Sequence, residues 1–248
     1  MGDLLAAVLT PSLITPAMLS GLRLWLSAAR ITGLADGDPV TTWSDLSGQG
    51  NNATQSTTAA KPLYKVNIAG GRPGVLFDGV DDYLSLAAGA YTAMLAGDKT
   101  VFVAAKWAAT GADKRLVSVS NAGASTRFAL THTTGPVYQH FYTTGAAQAN
   151  VTASAGAIPS TSVPQIVEAV QSGTSFIGRT NGTTIAADPA NAGGEVAASG
   201  ALGSNAAGSG GFANVYILDV IAYNRALSAT EASAVRRYLG VRYGVTVS

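Results

Sequence analysis

The 248-residue chain has no cysteine, two histidines, and charged residues at only 12% of its length. Its glutamates are three: Glu168, Glu195 and Glu231. Each shortage excludes something. Without cysteine there is no disulfide framework and no thiolate metal centre. Such a chain suits a reducing compartment, though it is not confined to one. Charge falls well below the roughly one quarter of an average domain. With a net charge of +1 and no run of Lys or Arg, the footprint of a nucleic-acid binder is missing. Pro11 and Pro16 interrupt the apolar opening well short of the roughly 20 residues of a membrane span. Asp3 stands where a secretion signal carries a basic residue. No membrane insertion is expected.

Small residues fill the space that charge leaves. Glycine alone numbers 29, and much of the 47% hydrophobic content is alanine. A surface of Ser, Thr, Ala and Gly gains solubility from hydroxyls and backbone, or else is covered by neighbours. The length suits one large β-sandwich or barrel. Residues 1–20 read as an N-terminal arm and 21–248 as the domain. The apolar positions of the arm, Leu4, Leu5, Val8, Leu9, Leu13 and Ile14, dock either on the domain itself or on a partner.

Strand signals start where Leu22, Leu24 and Leu26 alternate with Arg23, Trp25 and Ser27. Further strands are expected at Val40–Trp43, Pro62–Tyr64, Gly74–Phe77, Tyr83–Leu86, Val101–Trp107, Leu116–Ser120, Phe128–Thr131 and Val137–Tyr142. Later ones follow at Pro164–Gln171, Ser175–Arg179, Thr183–Ala186, near Val196 and at Asn214–Tyr223. The segment Thr143–Val163 has little periodicity and reads as loop or weak outer strand. Asn214–Tyr223 is apolar on both faces, so it is a central strand. Strict alternation puts Val215, Ile217, Ile221 and Tyr223 on one face and Tyr216, Leu218 and Val220 on the other. A single helix is expected at 229–240. Ser228 and Glu231 form a capping box, Leu227 is its staple, and Gly240 or Gly244 ends it. Many short strands, Gly-rich turns and one terminal helix indicate an all-β sandwich.

Three segments carry a resemblance. They are Leu24-Trp25-Leu26-Ser27-Ala28 with Trp43-Ser44-Asp45-Leu46-Ser47-Gly48-Gln49-Gly50-Asn51-Asn52, then Pro73–Leu84, then Asp219–Ser228 with Glu231 and Tyr238-Leu239. In this order they resemble the concanavalin-A-like, LamG-type jelly-roll domains of bacteriophage structural proteins and bacterial lectin-like proteins. The resemblance covers residues 20–86 and 212–245, and Ser27 departs from it where an Asp is common. It implies a jelly-roll β-sandwich of two antiparallel sheets with a short C-terminal helix. It also implies one of two roles. The first is a non-enzymatic virion protein of a tailed phage, a capsid decoration, head-fibre or tail-associated subunit. Such a protein is made in the bacterial cytoplasm, contacts a capsid or tail protein, and is homo-oligomeric, a trimer by analogy. The second is a carbohydrate-binding adhesion module at an extracellular site, with a cell-surface glycan as partner.

A glycan hydrolase is the weakest reading. Two carboxylates must flank a scissile glycosidic bond, but Glu231 is committed to the helix cap, Glu195 sits in a Gly-rich loop, and Glu168 has no acidic neighbour at i+2 or i+4. No Gly-x-Ser-x-Gly turn frames a nucleophile for His132 or His140. Sugar contacts are sought at aromatic residues on strands, Trp107, His132, Tyr138, His140 and Tyr142, with a buried core face as the alternative. Trp25, Trp43 and Phe77 are assigned to the core. No cofactor is required, although calcium has hard oxygen ligands available at Asp81 and Asp82. Asp45 and Asp78 are expected to bond nearby amides as turn residues.

Overall fold

The computed structural model describes residues 14–109, 114–121, 126–132, 138–144, 147–152, 161–188 and 196–248. At 126–127, 132, 138–144, 147–152 and 186–188 it describes the backbone alone. The elements in order are β1 (Leu22–Ser27), β2 (Thr42–Trp43), β3 (Ala53–Thr54), β4 (Leu63–Ala69), β5 (Arg72–Asp78), β6 (Leu84–Leu86) and α1 (Ala88–Leu95). Then come β7 (Lys99–Trp107), β8 (Lys114–Asn121), β9 (Thr126–His132), β10 (Tyr138–Thr144), β11 (Ala147–Thr152), β12 (Gln165–Ser172), β13 (Ser175–Thr180) and β14 (Thr183–Asp188). The chain closes with β15 (Ala197–Leu202), β16 (Asn214–Tyr223) and α2 (Ala229–Tyr243). One sheet runs β14-β13-β12-β7-β16-β5-β4, with β1 also paired to β16; the other runs β11-β10-β9-β8-β15-β6-β3-β2. Every strand pair is antiparallel.

Two cores follow from alternation. On β7, Val101, Val103, Ala105 and Trp107 point between the sheets, where they meet Leu24, Trp43, Phe77, Phe128 and Leu202. The intervening Phe102 and Ala104 point outward and pack with Ile166, Leu218, Ile221 and Tyr223 under Val235, Leu239 and Tyr243 of α2. The first sheet is therefore buried on both faces, and β7 and β16 carry apolar residues on both.

Strict alternation fails at one place on β16. The register with β7 shifts between Ile217 and Asp219. Val215, Ile217, Val220 and Ala222 consequently face the inter-sheet core, while Leu218, Ile221 and Tyr223 face α2. Ile221 and Tyr223 on one side and Val220 on the other thus lie on the faces opposite to those that a period of two assigns them. The bulge lies where the far edge of β16 changes partner, from β5 (Asn214–Ile217) to β1 (Asp219–Tyr223). A bulge swings one side chain out of sequence, and here that residue is Asp219. Its carboxylate is fully buried under α2, accepting from the Tyr243 hydroxyl at 2.6 Å and facing Arg242 Nε at 3.4 Å. Burial pushes the Asp219 carboxyl up to about 6, against the pull of Tyr243, Arg242, Ser27 and Trp25.

The capping box forms as expected. Ser228 Oγ accepts from the Glu231 amide at 3.3 Å, and Glu231 Oε2 accepts from the Ser228 amide at 2.9 Å. Arg225 grips the same carboxylate through both terminal nitrogens and holds Glu231 down at about 2. Gly244, at φ 69°, ends the helix; Gly240 lies inside it. A buried carboxylate also ties α2 to the sheet. Glu168 of β12 accepts from Arg179 at 2.8 Å and from Arg236 of α2 at 2.6 Å.

Helix α1 is not among the sequence expectations. Ala90, Met94 and Leu95 plug one end of the sandwich between the sheets. The segment Ala147–Thr152 resolves as an outer strand, β11. At Gly203 the backbone is left-handed, φ 79°, and an added Cβ would overlap the Phe77 ring.

Removing one partner of a buried charge network strands the others. Glu168→Ala is expected to cost about 3–5 kcal/mol in urea unfolding, against about 1 kcal/mol for Ser228→Ala. Equal losses in the two variants would contradict the clamp assigned to Glu168.

Candidate functional site

A groove of about 710 Å³ runs along one face of α1. Its construction starts in β1. The β1–β16 register shifts between Leu22 and Leu24, so Leu22 joins the core under α2 while Leu24 and Leu26 join the inter-sheet core. The three leucines do not share one face, as simple alternation has it. Arg23 sits at that irregularity and reaches the groove.

The opposite rim is the loop Asp45–Asn52, organised by one carboxylate. Asp45 Oδ1 accepts from the amides of Trp25 and Ser47, both at 2.9 Å. Its Oδ2 accepts from Ser47 Oγ at 2.7 Å and from the Asn51 amide at 2.9 Å. Asn52 Oδ1 takes the Asp45 amide at 2.9 Å. An Asx turn of this kind fixes a loop through its own side chain, and here it pins the loop to β1. Gln49 Oε1 then accepts from Arg23 Nη1 at 3.0 Å, and Asn51 Nδ2 donates to the Arg23 carbonyl at 2.7 Å.

Asn224 follows directly after β16 and completes this wall. With its amide oxygen turned to the guanidinium, it accepts from Arg23 Nη2 at 2.9 Å and Nε at 3.1 Å and donates to the Gly21 carbonyl at 3.0 Å. The α1 side is built of small residues, Ala88, Gly89, Thr92, Ala93 and Ala96. Gly89 is required there, because an added Cβ would collide with the Asn51 amide. Asp98 closes one rim, its Oδ1 holding the Gly173 amide at 2.7 Å. Under the helix end, Lys99 is fully buried and donates to the Leu95 carbonyl at 3.1 Å. Burial pushes its ammonium down to about 7.

The groove therefore offers two amide side chains beside a third, a guanidinium, a hydroxyl and a carboxylate over a floor of small residues. That inventory hydrogen-bonds a polyhydroxylated ligand. Asp98 is its only carboxylate among the described residues, and Glu168 and Glu231 are committed to arginines elsewhere. The paired acids of glycoside hydrolysis are not assembled there.

Similar solved structures include a Trypanosoma rangeli sialidase in complex with 2,3-difluorosialic acid, at TM-score 0.62 and 15% identity over 92% of this chain and 34% of that one. A second is the CBM40 of Ruminococcus gnavus IT-sialidase bound to alpha2,3 sialyllactose, at TM-score 0.52 and 21% identity over 66% of this chain and 92% of that one. A third is the binding domain of Paraclostridial mosquitocidal protein 1, at TM-score 0.62 and 11% identity over 92% and 53%. With these structures the chain shares the jelly-roll β-sandwich fold of two antiparallel sheets. This chain spans about a third of the length of the sialidase chain it matches. No protein-family model matches the sequence, and no curated protein matches it.

Within the jelly roll the aromatic candidates separate. Trp107 is fully buried between the sheets and is no surface platform, because β7 lies in the middle of its sheet. His132, Tyr138, His140 and Tyr142 lie on β9 and β10, with Tyr138 opposite His132, His140 opposite Leu130 and Tyr142 opposite Phe128. Leu130 and Phe128 are core residues; the four side chains themselves lie outside the described residues. Trp43 and Phe77 are core as expected, whereas Trp25 packs outward, edge-on to Tyr238 at 6.2 Å.

Asp81 and Asp82 do come together with Asp78, their oxygens within 4.8 Å of one another. Asp78 takes the amide of Val80 at 2.8 Å and Asp82 takes that of Asp78 at 2.9 Å, which is turn chemistry. Burial, with Asp78 and Asp81 nearby, pushes Asp82 up to about 6, and the Asp78 amide opposes it. Leu4, Leu5, Val8, Leu9 and Leu13 lie outside the described residues. Ile14 is exposed, while Pro16 is buried and its carbonyl accepts from the Tyr223 hydroxyl at 3.0 Å.

Lys99 beneath the groove gives a pH dependence. Its folded pKa is lowered, so the folded state binds fewer protons than the unfolded chain between about pH 7 and pH 10. Stability rises with pH across that window. Denaturant unfolding at pH 7 and pH 9 should register the gain in the native chain and lose it in Lys99→Met; an unchanged gain in the variant would contradict the assignment.

Proposed function

We propose that the domain is a non-enzymatic glycan-binding module and that its ligand lies in the groove along α1. One observation carries the reading. The polar wall is preformed, with Arg23, Gln49, Asn51 and Asn224 already hydrogen-bonded in place before any ligand arrives. Preorganised side chains lose little entropy on binding. The small-residue floor leaves room for a sugar ring against α1, and the open groove admits a chain longer than one residue. The similarity of the fold to a carbohydrate-binding module and to the binding domain of a mosquitocidal protein supports the reading at the level of fold.

Thr92 of α1 and Ala96, its C-cap residue, line the groove and are exposed. Thr92→Trp and Ala96→Trp fill the groove without disturbing the plug formed by Ala90, Met94 and Leu95. Each is expected to weaken retention on an immobilised oligosaccharide array by roughly tenfold or more, about 1.4 kcal/mol, with an unchanged melting temperature. Full retention by both variants would overturn the location.

A second reading is packing into a larger assembly such as a virion through the N-terminal arm. Two exposed apolar residues of the described part of that arm favour it, Ile14 at 36% and Met18 at 68% exposure. Light scattering on the full chain and on a chain lacking residues 1–13 tests it. An oligomer that falls to monomer on deletion supports assembly through the arm, and the same mass for both chains contradicts it.

A further inference from the structure

Four arginines of the described residues are paired with carboxylates. Arg179 and Arg236 share Glu168, Arg225 holds Glu231, and Arg242 faces Asp219. Three of these four meet their carboxylate within 3 Å. Arg23 is held as firmly, on two sides, yet every atom it meets is a neutral amide oxygen. Among the described residues no carboxylate pairs with it, although Asp98 lines the same groove. Its neighbours orient the guanidinium and leave its charge uncompensated.

The donor count has the same consequence. A guanidinium carries five N–H groups in a fixed fork. Gln49 takes one from Nη1, and Asn224 takes one from Nη2 and the one on Nε. One N–H remains on each terminal nitrogen. A carboxylate or sulfate group presents paired oxygens to such a fork and forms charge-assisted bonds roughly twice as strong as neutral ones. The beginning of α1 adds to the same field. Ala88 and Gly89 line the groove, the N-cap Ala87 supplies no capping side chain, and the first turn has no acidic residue. The partial positive charge of a helix start therefore meets no acidic side chain of its own first turn at the groove that Arg23 also lines.

We infer that the groove selects glycans bearing an anionic substituent, a carboxylate or a sulfate ester, which Arg23 receives while the amides and Thr92 meet neutral hydroxyls. This rests on the glycan-binding reading and deepens it by naming the ligand class. The anionic group docks at the guanidinium between the Asp45–Asn52 loop and Asn224. Asp98, on the rim, is left to accept from sugar hydroxyls.

The test uses the full chain on an array of matched oligosaccharides: neutral, carboxylated and sulfated versions of the same backbones, read at about 50 mM and 500 mM salt. The native chain should retain an anionic version about tenfold better than its neutral match at low salt, with the preference shrinking at high salt as screening grows. Carboxylated and sulfated arms show which anion the site takes. Arg23→Gln should lose the preference while keeping weak binding to neutral members. Arg23→Lys, which keeps the charge and loses the fork, should keep part of it; both variants are checked for a native melting temperature. Equal retention of neutral and anionic members by the native chain would overturn the anion inference and leave the glycan reading standing. Retention of none would overturn both. An anion preference that survives Arg23→Gln in a folded variant would also overturn the assignment to Arg23.

Discussion

Strand β16 is paired along both edges and buried on both faces, and the molecule is arranged around meeting those four demands. Its inner face joins the sandwich, and its outer face requires α2. One edge takes β7 throughout, but the other is divided between β5 and β1. The division needs a bulge, and the bulge drops Asp219 under α2, where Tyr243 and Arg242 meet it. The groove grows from the same strand. Pairing with β16 sets β1 and its irregularity at Arg23, and the first residue beyond the strand is Asn224, which holds that arginine.

The distribution of carboxylates connects stability to the groove. Acids are few in this chain, and the described ones have distinct duties. Glu168, Glu231 and Asp219 neutralise arginines at the interface between α2 and the sheet. Asp45, Asp78 and Asp82 spend their oxygens on backbone amides in turns. Asp36 is held below the usual carboxylate range by Lys65 and the Val66 amide on the edge strand β4. Arg23 is left with amide neighbours. A binding surface of this kind has its orientation fixed by neutral groups and its charge reserved for a ligand.

Much of the fold was legible because its signals are local. The capping box at Ser228 and Glu231 needs four residues, and the two-sided apolar run of β16 needs ten. The face assignments of β16 and β1 were misread for one shared reason. A bulge is set by which strands sit on either edge, and that information is not in the strand. Helix α1 was missed because it lacks the usual marks: its N-cap is Ala87, its first turn has no acid, and its apolar residues read equally as strand. Packing between the sheets, not propensity, makes it a helix. The groove needed both failures repaired, since α1 is its floor and the β1 irregularity presents Arg23. The motif Trp43–Asn52 contained the signal, in an aspartate followed by Ser47, Asn51 and Asn52, but only as a turn. Aromatic residues on strands are a weaker guide to the site, because alternation alone does not say which face is core, and Trp107 is core.

The most direct test of a preformed polar groove as the ligand site is amide chemical-shift mapping of the folded chain during titration with an oligosaccharide that it retains. The largest shifts are expected on Gln49, Asn51, Thr92, Ala96 and Asn224, with the two cores silent. Shifts centred on β9 and β10, with those five amides unmoved, would contradict it.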